Sequence, residues 1–582
     1  MDDPPGPNTT RGLRKGLTSY GDAGFSLFLR KAFIKAAGYS EDALDRPIIG
    51  VTNTFSDYNP CHGNVPDLIE SVKRGVLLAG GLPMVFPTIS IGESFAHPTS
   101  MFLRNLMAMD TEEMIRAQPM DAVVLIGGCD KTLPAQVMAA ASVDLPAVVL
   151  PTGPMAVGHH KGEVLGACTD CRRLWGQYRA GVIDVAETEL ISGRLAPSVG
   201  TCMVMGTAST MACIIEAMGL ALPMSATAPA TQADRRRIAE ASGRRAAAMA
   251  IVGAPKPSEL ITEASVRNAM IVLQAIGGST NGLIHLIAIA GRAGVKFELE
   301  AFDKLGRQVP VLLNLKPSGT HYMEHFHHAG GLPALMRELA SLLDLHAPSV
   351  AGCTIGDAIA SAEKVPAQDV IRTLAAPLTK EGAMAVLHGN LAPGSAVIKQ
   401  SAASPNLMRH TGRAVVFDGV EDMTKRIDLA DLDVHPEDIL VLRNAGPKGA
   451  PGMPEAGYLP IPMKLARQGV KDMVRISDAR MSGTAFGTIV LHITPESAVG
   501  GPLAVVQTGD RIMLDVEARR IELLIDEAEL QNRLAAWKRL PPQHKPATRG
   551  YARLFEDSVL QADQGCDFNF LLRQGDAEAG DP

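Results

Sequence analysis

The stretch DAVVLIGGCDKTLPA, residues 121–135, decides the fold. Asp121-Ala-Val-Val-Leu-Ile126 is a compact apolar run that stops at Gly-Gly-Cys-Asp-Lys. Strands that are apolar along their whole length are buried on both faces, as in parallel sheets covered by helices. Working outward, Leu145-Pro-Ala-Val-Val-Leu150 repeats the form and stops at PTGPM. Upstream, Pro47-Ile-Ile-Gly-Val-Thr52 runs into the polar loop NTFSDYNPCHGN, and Met84-Val-Phe-Pro87 leads into TISIGESFAHP. Helical stretches are expected at Phe25–Ala37 and Val65–Ala79, in alternation with these runs. The expected class is α/β, and in such sheets ligands sit beyond the carboxyl ends of the strands, where these polar loops lie.

Past about residue 378 the texture changes. GRAVVFDG, DILVLRN, DMVRIS and GTIVLHI are short β-rich runs separated by Gly, Pro and Asp, and TGDRIMLDVEARRIELLI alternates on both arms like a hairpin. Short strands at this spacing indicate a barrel or sandwich. The expected organisation is an α/β domain with a parallel sheet flanked by helices over 1–377, and a β-barrel-like domain over 378–582, divided near residue 377. No internal repeat is visible.

The 582 residues are too many for one core, and the formal net charge of -7, with basic residues scattered, gives no reason to expect a nucleic-acid partner. The N-terminal MDDPPGPNTTRGLRKG lacks the apolar segment of a signal peptide, and no stretch reaches the roughly 18 apolar residues of a membrane span. A cytoplasmic protein with no membrane partner is expected. Eight cysteines in such a chain are not read as a disulfide framework.

Cys61, Cys129 and Cys202 each fall in a Gly-, Pro- or polar-rich loop, the first two directly after strand-like runs, the third before a helix whose N-terminus would face an anionic centre. Their spacing is too wide for any local metal motif, and three buried structural thiols would look the same. Their neighbours point elsewhere: Asp130 and Lys131 follow Cys129, Glu93 occupies another strand-end loop, and Glu455 lies in GPKGAPGMPE. Hard carboxylates suit Mg²⁺ and soft thiolates suit iron–sulfur or zinc. Cys168-Thr-Asp-Cys171 is open to three readings: half a zinc site with His159 and His160, a redox pair, or, the favoured one, two bystander thiols. Cys213 reads as core. SDARMSGTAFG, 477–487, is a small-residue loop between two strand runs, and neither a hydrolase elbow nor a phosphate-binding loop is present.

These residues and their motifs resemble the dihydroxy-acid/6-phosphogluconate dehydratase family. The resemblance covers nearly the whole chain: NPCH at 59–62, GGCDKTLPA at 127–135, GTCMVMGTASTMA at 200–212, IGGSTN at 276–281, GNLAPGSAVIK at 389–399, GPKGAPGMPE at 446–455 and SDARMSGTAFG at 477–487. It implies a 2Fe–2S cluster on Cys61, Cys129 and Cys202, with one iron left open for Lewis-acid chemistry rather than electron transfer. It implies Mg²⁺ on Glu93, Asp130 and Glu455 with Lys131 as a carbamylated ligand, and Ser482 as the base. Thr484 and His62 are the residues expected at the substrate.

The serine loop and the C-terminal GYARLFEDSVLQADQGCDFNFL resemble the sugar-acid branch, so the implied reaction is removal of water from a pentonate or hexonate to give a 2-keto-3-deoxy acid. His62 and the loop IGESFAHP depart from the arabinonate-type pattern and bear on which acid is accepted. The alternative within the family is a 2,3-dihydroxy-3-methyl acid, as in branched-chain amino-acid synthesis. An iron–sulfur electron carrier is the alternative from another class, and would call for a fourth ligand from Cys168 or Cys171. The resemblance further implies a homodimer or homotetramer acting on a small hydroxy acid.

Overall fold

The computed structural model describes residues 11–573 apart from 18, 364–365, 367 and 538–545. Most of the polar N-terminal tail therefore lies outside the described residues. The first four apolar runs form strands β1 (Ile48–Asn53), β2 (Leu82–Pro87), β3 (Ala122–Gly127) and β4 (Ala147–Pro151). They pair in the order β2-β1-β3-β4, every pair parallel, as the unbroken apolar character of β3 and β4 requires.

The chain reverses its direction of travel across the sheet at the β1/β3 boundary. Right-handed crossovers then place the Val65–Leu78 helix on one face and the Ser100–Arg116 and Cys129–Val143 helices on the other. The packing agrees. Val65–Leu78 lies against Ala233–Val252, while Ser100–Arg116 lies against Cys129–Val143. The first pair is unusually close. A Cβ added to Gly75 would stand 2.0 Å from the Glu240 carbonyl oxygen, and one on Gly243 would stand 2.2 Å from that of Val72.

A small antiparallel pair, β5 (Gly158–His160) and β6 (Glu163–Leu165), follows. The second half supplies β7 (Ala385–Gly389), β8 (Ala392–Ile398), β9 (Arg409–Asp418), β10 (Ile439–Arg443), β11 (Arg475–Ser477), β12 (Ile489–Thr494), β13 (Arg511–Asp515) and β14 (Arg520–Leu523). These close a barrel in the order β10-β11-β12-β8-β7-β14-β13-β9. β13 and β14 form the expected hairpin, with Asp515 opposite Arg520. The barrel is mixed: β9, β10, β11 and β12 run parallel to one another, and the Val420–Arg426 helix lies between β9 and β10 in sequence.

Alternation decides which side chains fill the barrel. Ala414 and Val416 of β9 and Ile439 and Val441 of β10 join the interior core, while Val415, Phe417, Leu440 and Leu442 pack outside with Met423 of that helix. Beyond the barrel the chain returns to the sheet region. Asp567 makes a buried ion pair with Arg292 at 2.6 Å, and Arg104 donates to the Gly565 and Cys566 carbonyls at 2.9 Å. No helix among the described residues is long and apolar enough to cross a membrane.

The helix contact sets up a paired test. Gly243→Ala should destabilise the protein by about 1–3 kcal/mol through overpacking. Gly193→Ala, in the Val185–Leu195 helix with nothing within 4 Å of the new methyl, should stabilise it by about 0.5–1 kcal/mol. Denaturant unfolding of both variants distinguishes a close helix contact from a general intolerance of alanine.

Candidate active site

The loops leaving β1, β2 and β3 carry Cys61, Glu93 and Cys129, and they emerge around the β1/β3 reversal, where open parallel sheets bind ligands. Glu455 and Ser482 follow the carboxyl ends of β10 and β11, which are adjacent and parallel in the barrel. The two sets meet in a cavity of about 330 Å³, whose wall includes Cys61, Glu93, Cys129, Asp130, Cys202, Glu455, Ser482 and Thr484. A larger cleft lined by Asp234, Arg237 and His327 lies elsewhere and contains none of these groups.

Each thiol is placed by backbone contacts. Cys129 opens its helix with φ at 52°, a left-handed geometry uncommon for a residue with a side chain. Cys202 is fixed from β4: the Thr201 amide donates to the Gly153 carbonyl at 2.9 Å, and the Met155 amide donates to the Thr201 carbonyl at 2.8 Å. Thr152 Oγ1 donates to the Cys61 carbonyl at 2.9 Å.

Of the two thiols in the Cys168–Cys171 motif, Cys168 stands on the cavity wall and Cys171 does not. The φ of 74° at Cys168 turns it into the cavity, and its Sγ lies 3.2 Å from Cys202 Sγ. The rest of its motif serves the same turn: Asp170 accepts from the Gly166 amide at 2.7 Å and from Lys316 at 3.1 Å, and Thr169 Oγ1 donates to the Thr484 carbonyl at 3.1 Å. His160 is occupied by Glu187 at 2.8 Å, so the zinc reading has no ligand there. The neighbouring Cys129 thiol and burial push the Cys61 thiol well above its ordinary value, and Cys168 and burial do the same to Cys202.

His62 does not reach the cavity. It is fully buried; Nδ1 donates to the Thr54 carbonyl at 2.7 Å and Nε2 accepts from the Gly128 amide at 2.9 Å. Both ring nitrogens are spent on backbone, which removes the substrate contact expected from sequence. The imidazole instead ties the Cys61 loop to the Cys129 turn.

Glu93, Asp130 and Glu455 bring carboxylate oxygens within 4.8 Å of one another, the only such set of three donors among the described residues. Two buried cations hold them. Lys131 Nζ lies 2.8 Å from Glu93 and 3.5 Å from Asp130, and Arg480 reaches Glu455 at 2.6 Å and Glu93 at 3.4 Å. Burial raises the Glu93 carboxyl, but Lys131 and Arg480 outweigh it and hold that group well below the usual carboxylate range. Burial, with the neighbouring Glu93, pushes Asp130 and Glu455 up instead. A cluster of oxygen donors with excess negative charge is a candidate site for a hard divalent cation.

The SDARMSGTAFG loop divides its work. Asp478 accepts from the Ala445 and Ser497 amides at 3.0 and 2.9 Å, which fixes the start of the Glu455 loop. Arg480 pairs with the carboxylates, and Ser482 Oγ lies 2.8 Å from Thr484 Oγ1. A Cβ on Gly483 would stand 2.5 Å from Ser279 Oγ, so only glycine lets the barrel loop seat against the sheet region. Asn281, from IGGSTN, donates to the Met481 carbonyl at 3.0 Å and to Thr207 Oγ1 at 3.1 Å across the same contact.

The sequence patterns of the dihydroxy-acid/6-phosphogluconate dehydratase N-terminal and C-terminal regions match residues 46–358 and 369–566. The chain belongs to this dehydratase family. It is therefore a hydro-lyase. It is 47% identical over 561 residues to an L-arabonate dehydratase of Azospirillum brasilense, covering 95% of both chains. It is 46% identical to a 6-deoxy-6-sulfo-D-gluconate dehydratase of Pseudomonas putida, covering 91% of both. A dihydroxy-acid dehydratase of Moorella thermoacetica is more distant, 38% identical over 92% of this chain and 97% of its own.

Charge balance gives the test of the carboxylate site. Arg480→Met leaves three acids facing Lys131 alone, and breaking a buried pair costs about 3–5 kcal/mol. The melting temperature of the cation-free variant should fall, and Mg²⁺ should restore more stability to it than to the parent protein. Equal Mg²⁺ shifts in the two would argue against a cation at these carboxylates.

Proposed function

We propose that this dehydratase removes water from a sugar acid, a pentonate or hexonate, to give a 2-keto-3-deoxy acid. The observation that carries the reading is Arg172 on the cavity wall, whose Nε has no hydrogen-bond partner among the described residues, with Ser94 and Thr484 beside the thiols and carboxylates. A polyhydroxy chain can pair with such a donor. A branched-chain dihydroxy acid, with its apolar tail, would leave it unmatched at a cost in specificity. The names of the relatives at 46–47% identity point the same way.

The donor chemistry fits the groups that the family implies. Cys61, Cys129 and Cys202 line one cavity and offer the soft thiolate donors that a 2Fe–2S cluster takes. Lys131, already among the carboxylates, would become a fourth anionic ligand on carbamylation and leave Arg480 as the one cation beside them. When bound, a 2Fe–2S cluster supplies a Lewis acid for the departing 3-hydroxyl, and Mg²⁺ neutralises charge on the substrate carboxylate and 2-oxygen.

The chain's own groups do the rest. Ser482 Oγ takes the C2 proton as base. Thr484 Oγ1, 2.8 Å away, orients that oxygen, and Arg480 holds Glu455 and Glu93 in place. The C2 proton and the C3 hydroxyl leave as water, and the enol becomes the 2-keto acid. We place the enzyme in the cytoplasm as a homodimer or homotetramer, with two domains divided near residue 377. The exposed Phe25, Phe28 and Phe33 of the Ala23–Ala36 helix are in keeping with self-association.

Ser482→Ala should keep the visible absorbance of the anaerobically loaded protein and lose about 10³-fold or more in kcat, while Cys129→Ser should lose both. Near-parental turnover by Ser482→Ala would remove the base assignment. A panel of pentonates and hexonates, read by 2-keto acid formation, should show faster turnover than 2,3-dihydroxyisovalerate. The opposite order would transfer the enzyme to branched-chain acids.

A further inference from the structure

Lys399 ends the GNLAPGSAVIK stretch, directly after β8. Its side chain is among the largest fully buried ones in the molecule, 1% exposed. Its ammonium donates to one group, the Gly483 carbonyl, at 3.3 Å. No carboxylate among the described residues forms an ion pair with it. This sets it apart from Lys131, Arg480, Arg475 and Arg292, which are equally buried and each face an acid. Burial alone, with no charged neighbour contributing, pulls its ammonium down to about 7. A buried cation without a counter-charge is costly; Arg104 and Arg235, also buried with no ion pair among the described residues, spread that charge over several carbonyl acceptors, whereas Lys399 has one.

The position ties it to the serine loop. Gly483 follows Ser482 directly, so the ammonium is bonded to the Gly483–Thr484 peptide, one residue past the serine. The same segment grips the loop again at its far end, where the Gly487 amide donates to the Ala402 carbonyl at 2.8 Å. A serine hydroxyl is a very weak acid, and Ser482 gains negative charge only if positive charge is already fixed nearby.

We propose that Lys399 is a positioning residue for the dehydration: it fixes the Gly483–Thr484 peptide, directly after Ser482, and supplies, from beneath the loop, the positive charge against which Ser482 becomes anionic. The proposal rests on Ser482 being the base. It adds that the base is stabilised from the barrel side by a protein cation, separate from the metal ligands across the cavity. Lys399 touches no substrate in this role.

The test uses the anaerobically loaded, Mg²⁺-supplemented enzyme and three variants. Lys399→Gln keeps an N–H donor but removes the charge, Lys399→Met removes both, and Lys399→Arg keeps the charge. Gln and Met should each lower kcat by about 100-fold with KM within about threefold, and Arg should retain several-fold more activity than Gln. The deuterium isotope effect on kcat with C2-deuterated substrate should be fully expressed in Gln, since proton removal is the step weakened. Visible absorbance of Gln should match the parent, and its melting temperature should be no lower.

A Gln variant within threefold of parental kcat overturns the proposal, because the hydrogen bond rather than the charge then suffices. So does activity lost in proportion to absorbance or melting temperature, because the lysine then only props the loop. Ser482→Ala, assayed alongside, separates the two readings. If it is inactive while Lys399→Gln is normal, only the role of Lys399 fails; if it turns over normally, the base assignment fails and takes this inference with it.

Discussion

Three carboxylates share one small buried space, and they can do so only because positive charge is built in beside them. Lys131 comes from the helix after β3 and Arg480 from the loop after β11, so the compensation is drawn from both halves of the chain. Each cation touches an acid supplied by the sheet region, and Arg480 also binds the acid of the barrel. Take either cation away and the mutual repulsion of Glu93, Asp130 and Glu455 opposes docking of the barrel loop on the sheet. The electrostatics of the site and the joining of the two halves are therefore one problem with one solution.

The fold answers that problem with the same device twice. Parallel strands release their loops at a common end, and the molecule sets the carboxyl ends of β1, β2 and β3 against those of β10 and β11. Soft donors come from the sheet alone, hard donors from both sides, and the serine from the barrel alone. Gly483, pressed against Ser279, sets how near the serine comes to the rest.

Much of this was legible in the chain because it depends on local pattern. The apolar runs fixed the parallel strands, the period-two arms fixed the β13–β14 hairpin, and residues in strand-end loops could be expected to converge. What stayed hidden depends on partners remote in sequence. Cys168 looked idle because its turn, with φ at 74°, points it at Cys202, which no local motif reports. Arg480 sat in plain view between Asp478 and Ser482, but its value lies in Glu93, which is 387 positions away. His62 misled in the other direction: a polar ring next to a loop cysteine looked like a substrate contact, yet it is spent on the carbonyl of Thr54 and the amide of Gly128. The parallel half of the barrel was also hidden, since strand direction depends on the path of the connecting segment and not on the strands themselves.

That buried imidazole has a consequence for the geometry of the two loops it joins. By locking the Cys61 loop to the Cys129 turn through backbone atoms alone, it makes the spacing between two of the soft donors a property of the polypeptide. The thiols do not need an inorganic group to draw them together, as they do in small domains that fold around their metal. The two loops are thereby held in register from one residue of the chain, and a change at position 62 would be felt at both thiols without touching either.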